Sequence, residues 1–429
     1  MPAANFSRGT AHIIGQEGSL ATEGMCVVTY LTWSGKGNRG IARRLQRLAA
    51  VSGAGLCILL IGTLALLMPG VALEASLKGL SVWWEVLFPA LFPFFVLSEV
   101  LLGFGIVHLA GALLDPLMRP LFRIPGAGGF VLALSFGSGY PVSARLTSRL
   151  MEQNLLSRAE GERLVAMTTT SDPIFIIGAV SVGFFGRLDI VPVLAAAHYG
   201  GAMLLGLLLR WRKDEPDAPD ADIALVATKR SADPIANGRA RRTAGHAAGR
   251  ATSGLFGTGR LKRALVAMHE ARMADGRPFG IVLNQAVKSS LALMIVVGGL
   301  VVCFSATLQL LLHSGLLLPL KHAFALLLQS VGMEPGLASA YVQGTFEVTL
   351  GNASAATGSG PDGVPAALID RVAAAAFVLS WAGLSVHAQV AGLMGGTGWR
   401  YGPFLRARLI HAVMSVALVY LLWPWLHAS

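Results

Sequence analysis

The stretch Ser135-Phe-Gly-Ser-Gly-Tyr-Pro-Val-Ser-Ala-Arg145 is the most informative in the chain. Gly137, Gly139 and Pro141 prevent a continuous helix through it. A helix that resumes after Pro141 aims free N–H groups at the break, and such groups attract anions. Ser138, Gly139, Tyr140, Ser143 and Arg145 are therefore candidate contacts for an anionic ligand. A tight turn at a membrane surface would use the same glycines without any ligand.

A second such stretch is Gly344-Thr-Phe-Glu-Val-Thr-Leu-Gly-Asn-Ala-Ser354. Its one acid, Glu347, sits among neutral residues. An ionised carboxylate at a bilayer centre costs about 2.5–3.5 kcal/mol on insertion scales. Glu347 must then face a cavity, find a partner or carry a proton. Glu347, Thr349 and Asn352 are candidates for substrate or coupling-ion contact. An interfacial position, or a structural pairing with an arginine, is the competing account of Glu347.

Two further polar clusters interrupt apolar segments. In Thr168-Thr-Thr-Ser-Asp172-Pro173 the proline frees backbone carbonyls, and Thr170, Ser171 and Asp172 can satisfy them or hold a ligand. Asp172 can equally cap the half-helix that follows. In Ser380-Trp-Ala-Gly-Leu-Ser385-Val-His387-Ala-Gln389, residues Ser385 and Gln389 are four apart and share a helical face, whereas His387 falls on another. Hydroxyl and amide groups joining neighbouring helices are the alternative there. Glu85 and Glu99 read as surface anchors or ion-pair partners. His198 and His411 read as interfacial residues, and Trp83, Trp84, Trp423 and Trp425 as an aromatic belt.

The elements that must position these residues are apolar. Of 429 residues, 54% are hydrophobic and 13% charged. Soluble domains carry about 25% charged residues, too many for this composition to be one of them. A polytopic all-α membrane protein accounts for it. The net charge of +11 sits in loops beside apolar segments, which argues for membrane topology and against a nucleic-acid partner. Cys26, Cys57 and Cys303 form neither a disulfide framework nor a metal-ligand pattern. His-Glu-x-x-His, Gly-x-Ser-x-Gly and Walker glycine-loop motifs are absent, so no catalytic residue, metal or cofactor is expected.

Apolar runs are expected to cross at Leu48–Ala72, Val82–Gly105, Arg163–Phe185, Ile190–Leu209, Ile281–Leu312, Ala366–Leu393 and Leu405–Trp425. The short runs Gly129–Tyr140 and Ala338–Thr357 are expected to enter and leave on one side. Arg210 to Arg277 holds 14 Lys or Arg against 8 Asp or Glu and reads as a solvated, partly disordered loop. With the basic tail and this loop both cytoplasmic, the two halves carry three crossings each in opposite orientations. The divisions expected are a basic tail (1–47), a first membrane helix (48–76), a first repeat (77–210), a basic cytoplasmic loop (211–280) and a second repeat (281–425). Inverted repeats with glycine-broken segments at matching positions point to a transporter site at the midplane.

Several strings also carry a resemblance. Among them are Leu77-Lys-Gly-Leu-Ser-Val-Trp-Trp-Glu-Val-Leu-Phe-Pro-Ala-Leu-Phe-Pro-Phe-Phe, Phe122-Arg-Ile-Pro-Gly-Ala-Gly-Gly-Phe, Ser138-Gly-Tyr-Pro, the run from Ser171-Asp-Pro to Gly-Phe-Phe185, Phe346-Glu-Val-Thr-Leu-Gly and Gly383-Leu-Ser-Val-His-Ala-Gln-Val. In these the chain resembles the YlbJ family of sporulation integral membrane proteins of endospore-forming bacteria. The resemblance implies a pair of Gate domains like the core of concentrative nucleoside transporters, with re-entrant hairpins and inverted repeats. It further implies a multi-pass protein of the outer forespore membrane that moves dipicolinic acid out of the mother cell. Dipicolinate is a planar aromatic dianion. It would be held by N–H donors, hydroxyls and one cation, for which Arg145 is the candidate. Residues 1–47 and 211–277 depart from the compact family pattern. A nucleoside or other small-metabolite carrier, and a non-transporting scaffold for spore assembly, are the alternatives. Beyond an anionic small molecule and the bilayer no partner is expected, and homo-oligomerisation stays open.

Overall fold

A computed structural model describes residues 55–211, 258–360 and 363–426. The expected basic tail 1–47 and residues 212–257 of the expected loop lie outside the described residues. The described residues are almost wholly helical, their one β contact being an isolated bridge between Ser359 and Pro365. Four helices are long and apolar enough to span a membrane, or six if each of two bent pairs counts as one span. The protein is an all-α polytopic membrane protein.

The expected first span does not run straight. Helix α1 (Gly55–Leu67) ends at Met68, and the chain turns by 106° into α2 (Pro69–Val82). Pro69 is the cause, because a residue before proline is pushed out of helical conformation, as the φ −128°, ψ 59° of Met68 show. The expected span Val82–Gly105 also divides. A π-helical turn (Trp83–Leu87) leads into α3 (Phe88–Gly103), which meets α4 (Ile106–Phe122) at 85°. Gly105 makes that corner at φ 73°, and a side chain there would crowd Met268 O, 2.8 Å from its Cβ position.

The glycine-broken run folds as two short helices, α5 (Ala127–Ser138) and α6 (Tyr140–Glu152), separated by Gly139. Helix α7 (Arg158–Thr168) opens on a reciprocal cap between Ser157 and Glu160. It stops before the Thr-Thr-Ser-Asp-Pro break, after which the chain winds as a π-helix (Phe175–Phe184) and then as α8 (Val191–Leu209). Here the expected polar centre of the span is a true interruption.

Part of the expected solvated loop is ordered: α9 (Thr258–Asp275) packs along α4. Ala264, Ala267, Met268 and Ala271 repeat at helical spacing, the pattern that identifies its inner face. The basic residues between them mask that pattern. Helix α10 (Phe279–His313) follows, 35 residues and about 52 Å long. After α11 (Leu318–Ser330) come the paired short helices α12 (Ala338–Phe346) and α13 (Val348–Ala356), parted at Glu347. An interrupted helix, α14 (Leu368–Trp381) and α15 (Gly383–Met394), leads to the long closing helix α16 (Tyr401–Leu426).

Both halves thus run in one order: a broken pair, an interrupted helix and a long closing helix. The halves also interlock, since α15 packs on α6, α13 on the π-helix, and α16 on both α14 and α8. Four broken segments are held in one buried body, where neighbouring helices stand beside the irregular backbone, as such backbone requires away from water.

A cleft between two pairs of broken helices

Four half-helices begin around one narrow cleft. They are α6 at Tyr140, the π-helix after Asp172, α13 at Val348 and α15 at Gly383. Each begins with N–H groups that have no partner within the helix. Two starts are capped by acids. Asp172 Oδ1 accepts from Phe175 N at 2.8 Å, and Glu347 Oε2 accepts from Leu350 N at 2.8 Å. The other two, α6 and α15, have no side-chain cap.

The cleft is lined by Tyr140, Ser171, Asp172, Glu347, Thr349, Ser385 and Gln389, with Leu87, Leu91, Phe175, Val297, Val301 and Val386 as its apolar wall. Its volume is about 40 Å³. That is room for about three waters at roughly 10–15 Å³ each, so the cleft must widen to admit an organic ligand. Glu347 and Thr349 also line a larger neighbouring cavity of about 170 Å³, whose outer side carries Glu74, Lys78, Gln309 and His313. Glu347 therefore stands between the two spaces.

Of the thirteen residues expected at a site, seven line this cleft together. Gly139 lies behind Asp172, and at φ 81°, ψ −175° it adopts backbone angles open to glycine alone. Ser138 is buried with its hydroxyl unpartnered. Ser143 meets Thr169 Oγ1 at 3.2 Å, and Thr170 Oγ1 donates to Thr168 O at 3.4 Å, so both hold the break rather than line the space. Asn352 donates to Val348 O at 2.7 Å, inside its own helix. Arg145 is elsewhere: its Nε donates to Glu99 Oε1 at 2.6 Å, and it reaches Ser289 O on α10. Glu99 is thus an ion-pair partner, and Glu85 is exposed.

Two expectations are corrected. His198 and His411 are not interfacial; both are fully buried between α8 and α16, with ring centroids 5.3 Å apart. Trp83 is not part of a belt, because its Nε1 donates to Met294 O at 2.9 Å and its ring fills the space above Gly298. The competing account of Glu347 as an arginine's partner finds no such arginine among the described residues; its carboxylate caps α13.

The breaks are held in place by side chains the sequence reading gave other roles, and by Tyr199 and Arg408, which it did not single out. His198 Nε2 accepts from Ser171 N at 3.0 Å, which puts its proton on Nδ1, facing Ser380 Oγ at 2.9 Å. Tyr199 donates to Ser171 O at 2.9 Å. At the second break, the last carbonyls of α14 are each taken by a side chain from another element. Tyr140 Oη donates to Leu379 O at 2.8 Å, Arg408 to Ser380 O, and His387 Nε2 to Trp381 O at 3.0 Å. The i, i+4 spacing of Ser385 and Gln389 was a usable signal. Arg408 gave none, since with Arg406 two residues before it, it looks like one of a basic pair near the start of an apolar run.

Among known proteins, residues 84–188 match the Gate family, described as nucleoside recognition. No solved structure matches. The sporulation integral membrane protein YlbJ of Bacillus subtilis (strain 168) is 39% identical over 367 residues, covering 84% of this chain and 80% of that protein. Identity at this level over four-fifths of both lengths makes the chain a member of the YlbJ family of sporulation integral membrane proteins.

Proposed function

We propose that the chain is a transporter for a small organic anion, with dipicolinate as its substrate and the outer forespore membrane as its location. The observation that carries this reading is the pair of uncapped helix starts, α6 and α15, beside one cleft. Two N-terminal dipoles of about half a unit charge each suit a carboxylate placed between them. Hydroxyl and amide groups on Ser171, Thr349, Ser385 and Gln389 supply neutral hydrogen bonds, and the apolar wall suits the faces of an aromatic ring. Asp172 and Glu347 are acids already engaged in accepting from backbone N–H groups, so neither offers the ligand a positive partner. The binding attraction in this reading therefore comes from helix dipoles, not from a salt bridge. Arg145, engaged with Glu99, has no part in it.

Interrupted helices crossing at mid-depth are the architecture by which secondary transporters expose one site to either side in turn. The narrow cleft and the larger cavity beyond Glu347 suit a closed site with an entry chamber. The Gate match, described as nucleoside recognition, favours a nucleoside as the second reading.

Purified protein in liposomes tests both. Dipicolinate is expected to cross faster than in protein-free vesicles, and unlabelled nucleosides are expected not to compete. Competition by nucleosides would move the substrate to the second reading. Absence of flux for either solute under any imposed gradient would sink the transporter reading.

A further inference from the structure

Arg408 is fully buried in α16 and pairs with no carboxylate among the described residues. A lone buried charge of this kind is costly unless something of opposite sign surrounds it. Here the opposite sign comes from backbone. One guanidinium nitrogen donates to Ser380 O, near the C-terminus of α14. Another donates to Ala166 O at 3.4 Å, near the C-terminus of α7. These are the ends of the two interrupted helices, one from each half. Each C-terminus carries about −0.5 unit charge, so the two together offset about one positive charge.

Among the described residues the surroundings supply no acidic side chain to compensate Arg408. His198, His387 and His411 pack around this region, and their hydrogen bonds fit neutral rings. His198 Nε2 accepts from a backbone N–H, His387 accepts from Tyr401 Oη while donating to Trp381 O, and His411 Nε2 donates to His198 O with Nδ1 unpartnered. Ser380 and Ser415 contribute only hydroxyls, 2.7 Å apart. The Nε of Arg408 has no acceptor among the described residues, so hydrogen bonding alone does not account for an arginine here. What the place requires is a positive charge.

Carbonyls at the ends of interrupted helices are where secondary transporters commonly bind a coupling sodium ion or proton. We propose that Arg408 is a tethered substitute for such an ion: its guanidinium occupies the cation position between the two helix ends, so the protein needs no free sodium or potassium to hold its site together. The proposal deepens the transporter reading and rests on it only for its flux arm.

The first measurement is independent of any substrate. The thermal unfolding midpoint of the detergent-solubilised wild type is expected to be the same in sodium, potassium and choline chloride at matched ionic strength. Arg408→Ala should unfold several degrees lower in choline, and should recover in millimolar guanidinium, sodium or potassium. Arg408→Lys keeps the charge and should remain indifferent to the salt. A wild type stabilised by sodium or potassium over choline would overturn the proposal, and so would an Arg408→Ala protein that no cation restores. If Arg408→Ala cannot be purified, the wild-type and Arg408→Lys comparisons decide by themselves. The second measurement is dipicolinate flux in liposomes with sodium and potassium replaced by choline, where no more than a twofold change is expected. Absence of flux in every salt would count against the substrate assignment and leave the unfolding result standing. Flux that collapses in choline would overturn the tethered cation itself.

Discussion

Gly139 lies against the carboxylate of Asp172: a Cβ on Gly139 would sit 3.1 Å from Asp172 Oδ2. The break between α5 and α6 and the break after α7 therefore touch, and they do so where only glycine fits. Gly139→Ala meets two obstacles, the backbone angles and the acid. A residue forced into that backbone region costs about 1–3 kcal/mol. Gly137, two residues earlier and helical, has nothing within 4 Å of its Cβ position. Gly137→Ala should be neutral or gain up to about 1 kcal/mol. A lower unfolding midpoint for Gly139→Ala alone is the expected result. Equal effects of the two would mean that the first break is not fixed by this contact.

The second half repeats the contact with the partners exchanged. At Gly383, with φ 72°, a Cβ would lie 3.0 Å from Phe346 O and 3.1 Å from Glu347 N. Glu347 is held there while its side chain caps α13. Glutamine retains the accepting oxygen and alanine does not. Glu347→Ala should lose about 1 kcal/mol of stability, and Glu347→Gln only a few tenths. Under the transporter reading both should lose most dipicolinate flux, because either change alters the group between cleft and outer cavity. If Glu347→Gln keeps full flux, the carboxylate is a cap and nothing more.

Tyr140 reaches across the two halves to Leu379 O. Tyr140→Phe removes the donor and leaves a buried carbonyl without its partner, at a cost of about 1–3 kcal/mol. The ring stays, so packing is expected to survive. A midpoint shift in Tyr140→Phe with unchanged helix content by circular dichroism is the expected outcome. No shift would mean that water replaces the hydroxyl at this carbonyl.

The breaks themselves were legible in the sequence. Gly139 with Pro141, the Thr-Thr-Ser-Asp-Pro run and Glu347 are each a local conflict with an apolar helix, and conflicts of that sort are visible in one dimension, whereas Gly137, expected to break the helix too, lies within α5. The shared face of Ser385 and Gln389 followed from spacing. Partnership was not legible. Arg408 meets carbonyls that are 28 and 242 residues away in sequence. His198 meets Ser380 across 182 residues. Arg145 looked available for an anion because its partner, Glu99, is 46 residues earlier on another helix. The turn at Met68 was hidden by continuous hydrophobicity, although Pro69 marked the place. Sequence thus located irregular backbone, while packing between distant helices decided which side chains hold it and which face the cleft.

Arg145 and Glu99 provide the sharpest separation of structural from ligand-binding charge. Their side chains are 11% and 14% exposed, and the 2.6 Å contact ties α6 to α3. Removing one member of a fully buried pair strands the other at about 3–5 kcal/mol, an upper bound for this largely buried one. Glu99→Gln and Arg145→Gln should therefore each destabilise strongly. The double variant should be less destabilised than the sum of the two, with a coupling of about 0.5–3 kcal/mol, as expected for residues in contact. A substrate-binding arginine would behave differently: Arg145→Gln would raise the KM for dipicolinate, and adding Glu99→Gln would not repair it. With Arg145 structural, the double variant should be less destabilised than the sum of the two and, under the transporter reading, keep a near-normal KM. A double variant that is stable and still fails to bind dipicolinate would return Arg145 to the site.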